Sequence, residues 1–373
     1  MSIDIPGATI PASTLDVLNP AQAARTNPEM RKVAQYPAFD WLRFVLASIV
    51  LLDHSGVHFP GPLGGGLAVD VFLALSGWLI GGILLKTPRS DLPRFFYNRS
   101  TRIWAPYFAC AALLYALALA KEGFSLDWLK YLFYDATFTH YTFTRFPQAL
   151  TEMPLGGTGN HFWSISVEEQ FYLAAPLLMI LLPFGRKAWP WLVVAAVLMA
   201  LPSRFAPIAL GVLAAVVHQR RPLVTGRWPR HLTLAAGACI VLALMWRWDV
   251  MALHAIFAVL VVLALAMPGR RLAIAVFAGA ISYPLYLNQW IGGFATNVLL
   301  HQIGDLGRGP VLALTFLASL AVAIASWFVI DRQVMARRDG WYTPAHGRTA
   351  MIAAYSLLVI GLVGGGAIRM MGR

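Results

Sequence analysis

Charge is scarce in this chain. Only 12% of its 373 residues are Asp, Glu, Lys or Arg, and 58% are hydrophobic, whereas a soluble domain carries about 25% charged residues. A soluble globular class is excluded on that ground, and a lipid bilayer is the expected partner. Cysteine is almost missing too. Cys110 and Cys239 both lie in apolar stretches, so a disulfide framework and a metal site are not expected, and both are expected to be buried free thiols. A transmembrane barrel would show apolar–polar alternation in ~10-residue segments, and that pattern is absent. Helices are then the remaining way to satisfy a backbone in lipid.

What the chain does have is a series of apolar runs near the ~20 residues that a span requires. They cover 39–59, 66–86, 103–120, 166–183, 188–202, 206–218, 232–247, 250–267, 273–300, 311–330 and 350–368. The fold expected is all-α, a polytopic integral membrane helical bundle of about ten to eleven transmembrane helices. The segments 188–202 and 206–218 are short, which suits re-entrant or tilted helices.

Acidic residues number 17 against 29 basic ones, a net charge of +12. Their distribution argues for topology rather than for nucleic acid. With the N-terminus inside, 20 of the 29 basic residues fall in inner segments, eight fall outside, and Arg43 sits within a span. That bias orients the bundle with a cytoplasmic N-terminus and, for eleven spans, an outer C-terminus. Residues 1–37 are polar and proline-containing without the apolar core of a signal peptide, which predicts a disordered cytoplasmic tail. A membrane domain over 38–332 follows, then a cytoplasmic loop and a last helix over 333–373. The longest connection, 121–165, falls outside and is dense in aromatic residues, among them Trp128, Tyr131, Tyr134 and Tyr141. Such residues suit the membrane interface or stacking on a sugar ring.

Arg43 and His54 are the most informative pair. Eleven residues separate them, which at ~100° and ~1.5 Å per residue puts both on one helix face about 16 Å apart. Titratable groups within a span usually face a cavity and mark a functional path, and imidazole is the side chain suited to moving a proton near neutral pH. His58, four residues further on, is the weaker candidate. Asp70 lies amid apolar residues and needs a partner, while Ser76-Gly77 after it permits close helix contact. Arg99 and Arg102 are helix neighbours on the inner side, placed either for anchoring or for gripping phosphates. Ser164, Glu168 and Tyr172 recur every four residues as a polar stripe. Pro284 is expected to kink its span, and Asp331-Arg332 reads as an interfacial ion pair.

Taken together, these motifs resemble the acyltransferase 3 family of integral-membrane acyltransferases. The resemblance rests on Asp40-Trp41-Leu42-Arg43 with His54, Asp70 followed by Ser76-Gly77, Arg99 to Pro106, Trp163 to Tyr172, and Ser282 to Leu287, in family order. It implies transfer of an acyl group, acetyl in the first instance, from cytoplasmic acyl-CoA to a hydroxyl of an extracytoplasmic or lipid-linked glycan. His54 would be the general base, with Asp70 or Glu168 orienting it. Arg43, Arg99 and Arg102 would hold the acyl-CoA, a donor substrate, with no bound cofactor. The implied location is the bacterial inner (cytoplasmic) membrane. The alternative class is a transporter or flippase for an anionic or glycan substrate, which would favour inverted repeats that are not visible here. Departures from the family pattern are Gln289 where a histidine is usual, Asn98 before Arg99, Asp331 in place of glutamate, and the extra helix at 350–368.

Overall fold

The computed structural model describes residues 36–144, 146–223, 228–304 and 306–371. Residues 1–35, expected as a tail, lie outside the described residues. So do Arg25, Arg31, Lys32 and Arg227 of the inner basic set. Among the described residues the chain is helical, with no strand.

Helix α1 (Ala38–His54) leads through a glycine-rich turn into α2 (Gly65–Leu84), then α3 (Leu92–Glu122). The connection over 121–165 is itself folded, into α4 (Leu126–Ala136), α5 (His140–Phe143), α6 (Phe146–Glu152) and a 3-10 turn at Asn160–Phe162. Then follow α7 (Trp163–Pro176), α8 (Ala188–Ala200), α9 (Ala206–Arg220), α10 (Trp228–Arg247), α11 (Met251–Leu265), α12 (Ala273–Ile303), α13 (Arg308–Ser326), α14 (Arg332–Trp341) and α15 (Pro344–Met371).

Six stretches are long and apolar enough to cross a bilayer among the described residues. These are α2, α3 with its leading turn, Asn160–Leu181 around α7, α10, α13 continued to Trp341, and α15. Helices α8, α9 and α11, with 13, 15 and 15 residues, are apolar but shorter. Helix α2 is the central one: 72% of its apolar stretch is buried, against 17% in α10, α13 and α15. The outer helices turn their apolar side chains outward, which in lipid costs nothing.

Two departures concern burial and shape. Cys110 is buried, but Cys239 on α10 is exposed, both as free thiols. That helix has little of its surface against the protein, so its apolar flanks pointed to lipid rather than to a core. The 121–165 connection is compact because its aromatics pack inward: Tyr131 and Tyr134 are buried, and Phe138 stacks on Trp104.

Glycine sets the tightest crossing. A Cβ on Gly77 of α2 would collide with the Ile208 carbonyl of α9, and one on Gly211 of α9 would collide with the Ala74 carbonyl of α2. The two backbones meet reciprocally, as small residues permit in membranes. At the far side, Gly361, Gly364 and Gly365 of α15 leave room for Thr137, Phe133 and Phe143, so the last helix clamps the outer connection. Replacing Gly77 with valine should push α2 from α9 at a cost of about 1–3 kcal/mol. A thermal unfolding midpoint in detergent several degrees lower is the expected reading; an unchanged midpoint would show that the crossing relaxes freely.

Candidate functional site

Helix α1 carries one candidate group near each end, and each end meets a different environment. At its start, Asp40 is buried and accepts two hydrogen bonds from Arg271, Nε and one terminal nitrogen each at 2.6 Å. Gly279 of α12 makes room, since a Cβ there would stand 2.8 Å from an Asp40 oxygen. Arg43 lies 3.8 Å from Asp40 and within electrostatic reach of Arg99, Arg102 and Arg271. Four guanidinium groups therefore converge on one end of the bundle. Asp40 is engaged by Arg271, and Glu168 and Asp331 lie within reach of Arg102, while the guanidinium forks themselves are matched to phosphate oxygens. Nothing local in the sequence marks Arg271, because its partner is 231 residues away.

At its other end, α1 stops at His54, which lines a cavity of about 880 Å³. Its walls come from α1, α2, α12 and the folded outer connection, including Thr158, Asn160 and His161. His54 is exposed there, and the Gln289 side chain faces it. Gln289 is buried, and its Oε1 has no hydrogen-bond partner among the described residues. The His161 ring centroid lies 6.3 Å from that of His54. Both His161 nitrogens face carbonyl oxygens, of Thr158 and Leu287, each at 3.2 Å. With its nitrogens so engaged His161 is held in place, whereas the His54 ring is open to the cavity. His58 does not line the cavity.

Neither carboxylate expected to orient His54 touches it. Asp70 is fully buried and its two oxygens take hydrogen bonds from one Arg204 nitrogen at 2.9 and 2.7 Å, with His254 Nδ1 at 3.3 Å. Glu168 accepts hydrogen bonds from Ser76 and Tyr172. Both carboxylates are thus engaged away from the imidazole, Asp70 by Arg204 and His254 and Glu168 by Ser76 of α2 and Tyr172 of its own helix. The acid beside the ring is Asp53, its chain neighbour, whose carboxylate sits over the start of α2. A Cβ on Gly65 would be 2.9 Å from Asp53 Oδ2, which accounts for glycine there, and the positive end of α2 favours an acid at that spot.

The polar stripe on α7 does not run into lipid. Ser164 meets Tyr286 at 2.6 Å, and Tyr172 carries Arg99 over its ring at 4.9 Å. Glu168 in turn lies within reach of Arg102. The ion pair expected between Asp331 and Arg332 is not formed: Arg332 lies over Phe328, and Asp331 Oδ2 is buried without a partner. Asp331 ends a π-helical turn, Trp327–Asp331, a local widening often found at functional positions, and Arg102 lies within its reach.

A second cavity, of about 870 Å³, adjoins the first, with Tyr141 and Thr144 lining both. Lys130 there bridges Asp127 at 2.5 Å and Glu152 at 2.6 Å. Burial and the neighbouring Glu152 push the Tyr131 hydroxyl above its ordinary range. Arg369 of α15 closes the far wall.

Against this geometry, a family profile described as an acyltransferase domain matches residues 36–330. The chain belongs to the acyltransferase 3 family. The family's stretch ends at the π turn and leaves α14 and α15 outside it. Among curated relatives, the O-acetyltransferase OatA of Staphylococcus aureus is 29% identical over 157 residues, in strain NCTC 8325 / PS 47 and in strain COL alike. The match covers 39% of this chain and 25% of each relative, so it spans about a quarter of their length. No solved structure matches this chain.

The Asp70–Arg204 pair generates a stability prediction. Arg204→Met leaves the fully buried Asp70 carboxylate with only His254, and breaking a buried pair from one side costs about 3–5 kcal/mol. Thermal unfolding in detergent should show a large loss, which the double variant with Asp70→Asn partly restores. If Arg204→Met melts like the parent, the pair contributes nothing to the fold.

Proposed function

We propose that this protein is a membrane-bound O-acyltransferase that moves an acetyl group from acetyl-CoA to a hydroxyl of an extracytoplasmic or lipid-linked glycan. One observation carries the reading: α1 has a cluster of four arginines at one end and a cavity-exposed imidazole at the other. The family assignment and the OatA relatives support the acetyl-transfer chemistry. In this reading the long apolar helices lie in the bacterial inner membrane together with α1, α8, α9, α11 and α12. That gives the eleven spans expected and leaves the N-terminus in the cytoplasm. Residues 38–332 form the catalytic membrane domain, and 333–373 add an inner loop and the clamp helix α15.

The phosphates of CoA bind at Arg43, Arg99 and Arg102, joined by Arg271, and the thioester arm reaches toward His54. The acceptor enters from the side of the folded outer connection, where two adjoining cavities lined by aromatic and amide side chains suit sugar rings. There the acceptor hydroxyl oxygen bonds to the thioester carbonyl carbon while His54 takes its proton. The tetrahedral intermediate then expels the thiolate by breaking the C–S bond, and His54 returns the proton to sulfur. The products are an ester and free CoA. Asp70 and Glu168 serve this step by holding Arg204 and the α2–α7 contact rather than by touching the imidazole. Asp53 and Gln289 are the polar groups beside the base.

Two measurements test the reading. His54→Ala should lower acetyl-CoA consumption by about 10²-fold or more while the protein inserts and purifies normally; wild-type turnover would remove the proposed base. Replacing Arg99 and Arg102 together with Gln should weaken acetyl-CoA binding about tenfold or more per residue, since charge-assisted hydrogen bonds contribute ~1.5–3 kcal/mol each. Unchanged affinity would leave these arginines as topological anchors.

A further inference from the structure

A second imidazole–carboxylate pair lies buried in the wall of the same cavity, and the reaction as written leaves it unused. Asp135 at the end of α4 and His140 at the start of α5 are each only 1% exposed. Asp135 is held from several directions: the Tyr115 hydroxyl donates to Oδ2 at 2.6 Å and the Tyr107 hydroxyl donates to its backbone carbonyl at 3.0 Å. Its Oδ1 lies 2.7 Å from His140 Nδ1, and His140 Nε2 lies 3.1 Å from Asn160 Oδ1. His140 is thus held on both sides, by the Asp135 carboxylate at Nδ1 and by the Asn160 side chain at Nε2.

The consequence falls on Asn160. Its carbonyl end is turned toward His140, so its Nδ2 is left with no hydrogen bond among the described residues, although the residue is only 7% exposed. Asn160 lines the cavity and directly precedes His161, whose ring stands 6.3 Å from that of His54. The Asn160 amide is held at its oxygen by His140 and lines the cavity without a protein partner for its nitrogen, so that N–H is available to an oxygen that appears only during the reaction.

We propose that Asn160 Nδ2 stabilises the oxyanion of the tetrahedral intermediate, with His140 and Asp135 as positioning residues that turn the amide toward the cavity. The inference rests on the acyl-transfer reading above. As the nucleophile bonds to the thioester carbon, the carbonyl π pair moves onto oxygen, where the Asn160 N–H donates a hydrogen bond. When the C–S bond breaks, that pair returns and sulfur leaves with its electrons and the proton from His54. Asn160 gains and loses no atoms.

The test needs no acceptor, because water attacking the thioester passes through the same oxyanion. The full-length protein in detergent is given acetyl-CoA alone, and free CoA is followed by chromatography. Asn160→Ala and the isosteric Asn160→Asp should each lower kcat about 10²-fold, with the KM for acetyl-CoA unchanged. Asp135→Asn and His140→Ala should lower kcat in the same direction by a smaller factor, again without moving KM. Wild-type kcat in both Asn160 variants, or a change in KM alone, would overturn the oxyanion role while leaving the acyltransferase reading intact. Absence of CoA release from the parent protein even with a glycan acceptor present would overturn both.

Discussion

A carboxylate within a membrane protein is costly to leave alone, and the bundle is organised by the partners that four of its acids have found. Asp40 is taken by Arg271, Asp70 by Arg204 and His254, Asp135 by His140 and Tyr115, and Glu168 by Ser76 and Tyr172. Apart from Glu168–Tyr172, which lies within α7, these contacts join different elements: α1 to α12, α2 to the start of α9 and to α11, α4 to α5 and α3, α7 to α2. An ion pair in low dielectric is a poor source of net stability, but breaking one from a single side is expensive. The pairs therefore act less as glue than as registration marks. They fix how far each helix slides along its neighbour, and so where His54 ends up relative to the outer wall.

Close backbone packing does the complementary work. Gly77 and Gly211 bring α2 and α9 into direct contact, which draws the segment after α8 inward and lets Arg204 reach Asp70. Gly64 and Gly65 let Asp53 lie over the start of α2, so the turn after His54 stays tight. On the opposite side, α15 presses its glycines against Thr137, Phe133 and Phe143 of the outer connection. That connection carries Asn160 and His161, so a helix beyond the family's matched stretch bears on the shape of the cavity.

Features confined to one helix could be read from the sequence, because helical period alone decides them. Arg43 and His54 lie along α1 as their spacing required, and the Ser164–Glu168–Tyr172 stripe does share a face. The expected segments are apolar runs, and each contains a helix, long and apolar enough to cross a bilayer in six cases and shorter in α8, α9 and α11. What could not be read were the partners: Arg271, Arg204, His254 and the Asp135–His140 pair carry no local signal, since their meaning depends on segments up to 231 residues away. The same limit explains the misread Asp331, whose neighbour in sequence was not its neighbour in space. The folded 121–165 connection was missed for a different reason. Its helices are short and its apolar residues are aromatic, so they resembled an interfacial loop until the Tyr107–Phe138–Phe162 packing showed a core of their own.

Gln289 shows what a single departure from a family pattern does to a site. A histidine at that position would add a third imidazole beside His54 and His161 and would compete for the same protons. An amide cannot titrate, and the Gln289 nitrogen is already committed to the Tyr286 carbonyl at 3.2 Å. Its unpartnered Oε1 is then an acceptor facing His54. An acceptor at that point favours a proton on the near ring nitrogen and leaves the other nitrogen's lone pair for the substrate hydroxyl. With His161 held by two carbonyls, the proposed proton transfer would fall on the His54 ring alone. In the proposed reaction, the substitution would change which group fixes the tautomer of His54 without removing the imidazole itself.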